Sequence, residues 1–162
     1  MPEAPVSSPR SPIFPPKNPR FREVVTESFS RQPLMSTLGA ELVLVEPGEV
    51  HVALPYSAAF TQQNGFLHAG AVTSIADSAC GYAAFTLAPP ETDVLAVEFK
   101  INLMAPARAP RFLACATVLR PGRTLTVCEA KVYGILADGA RELVASMLST
   151  IITRAHPVLN PV

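Results

Sequence analysis

Apolar residues recur at helical spacing in the middle of the chain, more regularly than anywhere else. From Ala69 onward, steps of three and four residues connect small and branched side chains, namely Val72, Ile75, Ala76, Ala79 and Ala83. The remaining strip carries four small or polar residues, Thr73, Ser74, Asp77 and Gly81. The pattern predicts a long helix, ended by Pro89 and Pro90, that is buried nearly all round and has one narrow polar seam.

The segments on either side of this helix have other patterns. The segment FREVVTESFSRQ, which begins at Phe21, has helical spacing and is predicted to stop at Pro33. The segment GAELVLVEPGEVHVALP alternates on both sides of Pro47-Gly48, which is typical of a β-hairpin. Four more alternating runs, separated by Pro, Gly and Asp-Gly turn signals, follow the helix: DVLAVEFKINLMA, PRFLACATVLR, RTLTVCEAKVYGIL and ARELVASMLSTIIT.

These elements predict an α+β fold. Long strands joined by short turns favour an antiparallel meander over parallel βαβ units, which need a long crossover between paired strands. We therefore expect a single domain, residues 21–155, in which a curved antiparallel sheet wraps around one apolar helix. Residues 1–20 are rich in proline and are predicted to form a flexible tail, and residues 156–162 form a short C-terminal tail.

The composition narrows the classes of function. The formal net charge is zero and only 16% of the residues are charged, so no broad basic surface is available for nucleic acid or acidic lipid. A hydrophobic fraction of 49% is high for a soluble monomer and favours self-association. The three cysteines and three histidines lack the spacing of metal ligands or of a disulfide framework. We expect reduced, buried thiols and no metal site.

Neither a leader peptide nor a membrane span is expected. The N-terminal sequence has no continuous apolar segment of the secretory type. The central apolar run is long enough to span a bilayer, but its Asp, its hydroxyl groups and its Ala in place of Leu argue against insertion. The sequence therefore predicts a soluble, cytoplasmic protein.

Asp77 is the one formally charged residue between His51 and Glu91. No Lys or Arg stands three or four residues from it, so no ion pair along the helix neutralises it. A buried carboxylate without a partner is costly, and either hydrogen bonds or a function must account for it. Two explanations are open at this level: a structural hydrogen bond to Thr73 or Ser74, and a catalytic carboxylate.

A set of motifs in fixed order resembles the PaaI-type acyl-CoA thioesterases of the hotdog-fold superfamily. The matching segments are QQNGFLHAG, ADSACGYAA, VEFKINLMAPA, RPGRTLTVCEAKVY and SMLSTI. The similarity runs from about Pro33 to Thr153. It implies a hotdog fold, hydrolysis of acyl-CoA to free acid and CoA, and a homodimer or dimer of dimers whose active sites are shared between two chains. It implies no cofactor, because CoA enters only as part of the substrate.

The resemblance also implies roles for individual residues. Asp77 matches the catalytic carboxylate, which acts as general base or nucleophile. Gln62 occupies the place of a polar amide near the nucleophilic water or the thioester. His68 and Gly70 belong to the turn that holds the thioester. The backbone N–H of Ala69, where many members have Gly, would donate to the oxyanion.

Coenzyme A would bring phosphates and an extended pantetheine arm to the site. Polar and basic residues that could bind it lie just before the helix and on the strands and turns after it: Asn64, Gly65, Lys100, Arg108, Arg120, Arg123 and Thr124. Arg123 is the best candidate, although each basic residue taken singly is typical of a solvated surface. Ala96 stands where some relatives place a hydroxyl group.

The chemistry places a geometric condition on the site. Thioester hydrolysis needs a base or nucleophile at the carbonyl carbon and donors where negative charge develops on oxygen. A helix N-terminus supplies such donors. At about 1.5 Å per residue, Asp77 lies roughly 13 Å along the axis from His68. One helix therefore cannot readily present both its carboxylate and its N-terminal N–H groups to the same carbonyl. Two antiparallel helices in a two-fold dimer can, because each gives its Asp77 to the other's N-terminus.

Two other functions are open at this level. A hotdog hydratase or dehydratase would pair His with a carboxylate at another spacing, and Tyr82 stands where a dehydratase-like Glu would be expected. A non-catalytic acyl-CoA-binding or sensing protein would need a partner for its output, for which the Pro-rich tail is the only candidate. Neither the acyl group nor the pathway is determined by the sequence.

Overall fold

The computed structural model describes residues 14–155 of the chain. Two helices and two strands come first, and a third helix and four strands follow. The helices are α1 (Phe21–Ser30), α2 (Pro33–Leu38) and α3 (Ala69–Phe85), with a 3-10 turn at Ala58–Phe60. The strands are β1 (Glu41–Glu46), β2 (Glu49–Pro55), β3 (Thr92–Leu103), β4 (Arg111–Arg120), β5 (Leu125–Ile135) and β6 (Arg141–Ala155).

The strands form one six-stranded sheet in the order β1-β2-β4-β5-β6-β3. Every pair of neighbours is antiparallel, which confirms the expected type of sheet. The prediction of a simple meander is wrong at β3, because the chain crosses from β2 through α3 to the far edge and β3 pairs with β6. Alternation along a strand determines which face a side chain occupies, and it does not determine which strand lies next to it.

The central helix α3 packs on one face of the sheet and contacts every strand from β2 to β6. Its predicted seam is confirmed: Thr73, Ser74, Asp77 and Gly81 are half-buried residues. Most of the rest of the helix is buried, with Ile75, Ala76, Ala79, Cys80 and Ala83 fully excluded from solvent. Outside the seam, Gly70 at the N-terminus is exposed, and Ala69 and Ser78 are half-buried. The small side chains let the helix approach the sheet closely.

The N-terminal region contains a helix that the pattern did not predict. α1 ends at Ser30, and Pro33 then begins α2, since the first helical position needs no N–H donor. Gly39 ends α2 in the left-handed region, with φ of 69°. Ahead of these helices, Phe14 packs against the hydrophobic core. Residues 1–13 and 156–162 lie outside the described residues, so the domain limits stay a prediction.

The cysteines are less uniformly buried than expected. Cys80 and Cys128 are fully buried, whereas Cys115 is only half-buried. Burial raises the pKa of the Cys128 thiol to about 12 and also raises the pKa of Cys115. Over residues 14–155, no helix has both the length and the apolar character that crossing a membrane requires.

Candidate active site

The loop before α3 folds back on itself and fixes Gln62. The N–H of Gln62 donates to the Phe66 carbonyl at 2.9 Å, and the N–H of Gly65 donates to the Gln62 carbonyl at 3.0 Å. Gly65 has φ of 80°, a left-handed conformation that glycine adopts at little cost. The side-chain Oε1 of Gln62 accepts a hydrogen bond from the Asn64 N–H. The side-chain NH₂ group, which has no acceptor among the described residues, is thus available to a ligand.

His68 is the N-cap residue of α3. Its backbone is extended, and its ring Nδ1 accepts a hydrogen bond from the Gly70 N–H at 2.8 Å. A Cβ at Gly70 would lie 3.0 Å from that Nδ1, so the absence of a side chain lets the ring sit this close. Because Nδ1 accepts, the neutral ring carries its proton on Nε2. His68 therefore determines where the helix begins.

The N–H of Ala69 is left free at the start of α3. It donates to no acceptor within the described part of the chain, whereas the Gly70 N–H is occupied by His68. Free N–H groups at a helix N-terminus carry partial positive charge. Ala69 and Gln62 line one cavity of about 450 Å³, here called the Gln62 cleft. The other walls of the Gln62 cleft are Phe66, Leu67, Val72, residues 103–107 and Val144.

Asp77 lies on the seam of α3 and lines a different cavity of about 200 Å³, here called the Asp77 chamber. Its Oδ1 is buried and accepts no hydrogen bond from any described residue. Ser74 instead donates to the Gly70 carbonyl at 2.8 Å, so the structural bond that could have accounted for Asp77 is not formed. Burial raises the pKa of the Asp77 carboxyl above its ordinary value. A buried acceptor without a partner is a candidate for contact with a ligand or second subunit.

The two cavities do not meet within one chain. No described residue lines both the Gln62 cleft and the Asp77 chamber. The edge strand β3 runs past both of them, with Val94 and Ala96 beside Asp77 and Leu103 beside Gln62. One chain therefore presents the carboxylate and the hydrogen-bond donors at two separate places.

Comparisons with known proteins agree on a family. A sequence profile of the thioesterase superfamily matches residues 64–134. A 1,4-dihydroxy-2-naphthoyl-CoA hydrolase from Listeria monocytogenes is 30% identical over 99 residues, which cover 61% of this chain and 80% of that protein. A thioesterase family protein from Silicibacter pomeroyi has a crystal structure that is 48% identical, with a TM-score of 0.81, and covers 83% of this chain and 98% of its own. The chain belongs to the thioesterase superfamily.

The fold of this thioesterase superfamily member is the expected hotdog fold. The PaaI protein of E. coli has the same fold, with a TM-score of 0.74 at 18% identity, and covers 84% of this chain and 94% of its own. The fold comparison thus confirms the architecture that the motifs indicated, in which a curved antiparallel sheet surrounds a central helix. Membership supports hydrolase chemistry as the general class of activity.

The predicted CoA-binding residues of this superfamily member fall in two groups. Asn64 and Gly65 line a cavity of about 580 Å³ together with Arg108. Phe66 lines both this cavity and the Gln62 cleft, so the two are adjacent. Arg108 therefore lines a cavity that adjoins the Gln62 cleft.

The second group lies away from the Gln62 cleft. Arg123 lines a cavity of about 310 Å³ at the C-terminal end of α3, together with Lys17. Arg120 and Thr124 flank the same turn between β4 and β5. Lys100 projects from β3, where its Nζ donates to Asn102 Oδ1 at 2.5 Å. The preference for Arg123 over Arg108 is therefore not supported by the arrangement within one chain.

Two residues beside Asp77 were not predicted from the sequence. Ser28 of α1 and Gln32, which follows it, both line the Asp77 chamber. The apolar spacing of α1 marks the face that packs on the core, and no motif marks its polar residues. Only the fold brings this part of the chain to the seam of α3, so no local signal was available.

Proposed function

We propose that this protein is an acyl-CoA thioesterase, which hydrolyses acyl-CoA to the free acid and CoA. The observation that carries the proposal is the buried Oδ1 of Asp77, which has no partner among the described residues. Further support comes from the free N–H of Ala69 at the start of the same helix. The Listeria monocytogenes relative, which is named as a 1,4-dihydroxy-2-naphthoyl-CoA hydrolase, is matched over 80% of its length.

In the proposed mechanism, Asp77 acts at the carbonyl carbon and the donors of the Gln62 cleft act at the carbonyl oxygen. The Asp77 carboxylate takes a proton from water as the water oxygen bonds to the carbonyl carbon, or it attacks that carbon itself. The Ala69 N–H and the Gln62 amide stabilise the resulting oxyanion. When Asp77 acts as base, the C–S bond then breaks and the CoA sulfur leaves with the proton taken from water. When Asp77 attacks directly, breaking of the C–S bond releases the CoA thiolate and leaves a mixed anhydride on Asp77. Water then cleaves the anhydride, which releases the free acid, restores the carboxylate and supplies the proton that the thiolate takes up.

The two halves of this site are supplied by two chains in the proposal. β3 is an edge strand, and it exposes large apolar side chains such as Val97 (55% exposed) and Phe99 (43% exposed). An exposed apolar edge strand is a favourable surface for pairing with a second sheet. We therefore infer a homodimer in which the two β3 strands lie antiparallel.

The register of this pairing follows from the positions of the cavities. A two-fold axis near Phe99 places residues 94–96 of one chain opposite residues 102–104 of the other. Because residues 94–96 flank Asp77 and Leu103 flanks the Gln62 cleft, the carboxylate of one chain then faces the donors of its partner. Each dimer has two such sites.

Arg108 is the proposed contact for the phosphates of CoA. It shares a cavity with Asn64 and Gly65, next to the Gln62 cleft, and it is exposed at the surface. A guanidinium group binds phosphate oxygens with two parallel hydrogen bonds. The pantetheine arm would run from this cavity to the thioester in the Gln62 cleft.

The proposal is tested by release of free thiol from a panel of acyl-CoA esters. Wild type is compared with Asp77→Asn and Asp77→Ala, and we expect both folded variants to lose about two or more orders of magnitude in kcat. If wild type binds the esters but releases no thiol, the protein is an acyl-CoA-binding or sensing protein. If the acyl chain changes while the thioester survives, it is a hydratase or dehydratase.

Mixing of two inactive variants tests the shared site. Asp77→Asn and Gln62→Ala are unfolded together and refolded as a mixture, with each variant alone as control. We expect recovery of about one quarter of wild-type activity, because half of the randomly formed dimers are heterodimers and each of these has one intact site of two. A mixture as inactive as its components would show that each site uses a single chain.

A further inference from the structure

Two cavities lie end to end beside Asp77. The Asp77 chamber, of about 200 Å³, and an outer cavity of about 510 Å³ are lined by four residues in common: Ser28, Gln32, Phe85 and Asp93. The outer cavity continues between α1 and the start of β3, where Phe21, Val24 and Glu91 line it. The four shared residues therefore form the boundary between an inner and an outer space.

The Asp77 chamber has the size of a compact group. An engineered protein cavity of about 150 Å³ holds a benzene molecule, and the Asp77 chamber measures about 200 Å³. Gly81 lies one helical turn after Asp77, and a Cβ built there would have nothing within 4 Å. Phe85, Val94 and Ala96 supply apolar walls. The space over Gly81 is thus open, and it has apolar walls on one side and the polar side chains of Ser28 and Gln32 on the other.

Gln32 closes this space and is held firmly. Its N–H donates to the Phe29 carbonyl at 3.0 Å, and its carbonyl accepts from the Ser36 N–H at 3.2 Å, so the backbone is fixed between α1 and α2. Its side-chain Oε1 accepts a hydrogen bond from Ser78 Oγ of α3 at 3.4 Å. The amide therefore reaches from the α1–α2 junction to α3, across the boundary between the two cavities.

We propose that Gln32 is a specificity-determining residue that limits the acyl group to a single ring or a short chain. The inference rests on the proposed thioesterase function, which places the thioester beside Asp77. CoA is too large and too polar for the Asp77 chamber, so the acyl group is the part that enters it. A long straight chain has to displace Gln32 before it reaches the outer cavity.

Three substitutions separate the length of the Gln32 side chain from its polarity. Gln32→Ala removes the barrier, Gln32→Met keeps its length without the amide, and Gln63→Ala makes the same truncation at an exposed residue. Thiol release is measured with butyryl-, phenylacetyl-, octanoyl- and dodecanoyl-CoA. We expect the ratio of kcat/KM for dodecanoyl to butyryl esters to rise about tenfold or more in Gln32→Ala. We expect it to stay within about threefold of wild type in the other two variants.

The outcomes distinguish this inference from the function on which it rests. If wild type hydrolyses the esters and Gln32→Ala leaves the ratio unchanged, the inference about Gln32 is wrong and the thioesterase proposal stands. An equal shift in Gln32→Met also overturns it, because length would then not be the determinant.

Absence of thiol release in wild type would contradict the proposed function instead. The affinities of the same esters for wild type and Gln32→Ala, measured by calorimetry, then decide the question: a shift towards dodecanoyl-CoA supports the barrier, and an unchanged ranking refutes it. Circular dichroism and thermal unfolding establish that every variant is folded.

Discussion

The buried carboxyl group of Asp77 makes the stability of the folded chain depend on pH. Its Oδ1 is buried without a hydrogen bond from the described residues, and burial raises the pKa of the carboxyl above the ordinary value of 3.8. Between the ordinary and the raised pKa the folded chain binds more protons than the unfolded chain. The free energy of unfolding therefore decreases as the pH rises through this window, and it is lowest once the carboxylate is charged in both states.

The neutral substitution Asp77→Asn removes this pH dependence. We expect the variant to be more stable than wild type at neutral pH, and we expect the difference to vanish below the ordinary pKa of aspartate, where the carboxyl is protonated in both states. Denaturant unfolding at a series of pH values measures the effect, with Asp138→Asn at an exposed turn as control. A variant less stable than wild type at neutral pH would show that the carboxylate is a structural residue.

Gly81 lowers the stability of α3 but leaves space in the Asp77 chamber. Glycine inside a helix is less favourable than alanine by about 0.5–1 kcal/mol, and a Cβ at this position meets nothing within 4 Å. We expect Gly81→Ala to raise the free energy of unfolding by about that amount and to lower kcat/KM for phenylacetyl-CoA more than for butyryl-CoA. Chemical denaturation and thiol release measure the two effects, and equal kcat/KM losses for both esters would contradict the role of the chamber.

At the scale of elements, α3 depends on His68 for its first turn. The ring caps the Gly70 N–H, whereas the neighbouring N–H of Ala69, which lines the Gln62 cleft, donates to no acceptor among the described residues. His68→Ala is expected to lower the free energy of unfolding by about 0.5–2 kcal/mol, the range for loss of a side-chain cap. His68→Asn restores a capping oxygen and should retain both stability and most of the activity. A stable but inactive His68→Asn variant would indicate that the imidazole takes part in the chemistry.

The sequence predicts those elements that depend only on residues close together in the chain. The start and the buried face of helix α3 were predicted correctly because the apolar spacing after Ala69 is continuous. Its end was not, since α3 ends at Phe85 and the chain turns before it reaches Pro89. The role of Pro33 was misassigned, since a proline that stops one helix is equally suited to begin the next. The position of β3 beside β6 depends on a crossover through α3, and no local pattern encodes such a crossover. For the same reason the motifs indicated Asp77 as a candidate but could not show that Gln32 lies beside it.

At the scale of the whole molecule, the two edges of the sheet allow a matched test of dimerisation. Val97 on β3 and Val43 on β1 are exposed to a similar extent, 55% and 51%, on opposite edges. We expect Val97→Lys to raise the dimer dissociation constant and to reduce thiol release, because a lysine on an edge strand opposes pairing. Val43→Lys should leave both unchanged. Analytical ultracentrifugation measures the association, and a fully active Val97→Lys monomer would refute the shared site.

The proposed acyl barrier lies apart from the helix that carries the proposed catalytic residue, and this separation has a consequence for divergence between homologues. Gln32 lies at the junction of α1 and α2, whereas Asp77, Ala69 and Gln62 belong to α3 and the loop before it. An exchange at that junction replaces a half-buried side chain and leaves the core on the other face of α3 in place. If the proposed roles hold, a lineage can thus acquire a new substrate preference through its N-terminal helices while it inherits the proposed hydrolytic residues unchanged. Homologues with the same residues on α3 are therefore expected to differ in their substrates wherever this junction differs.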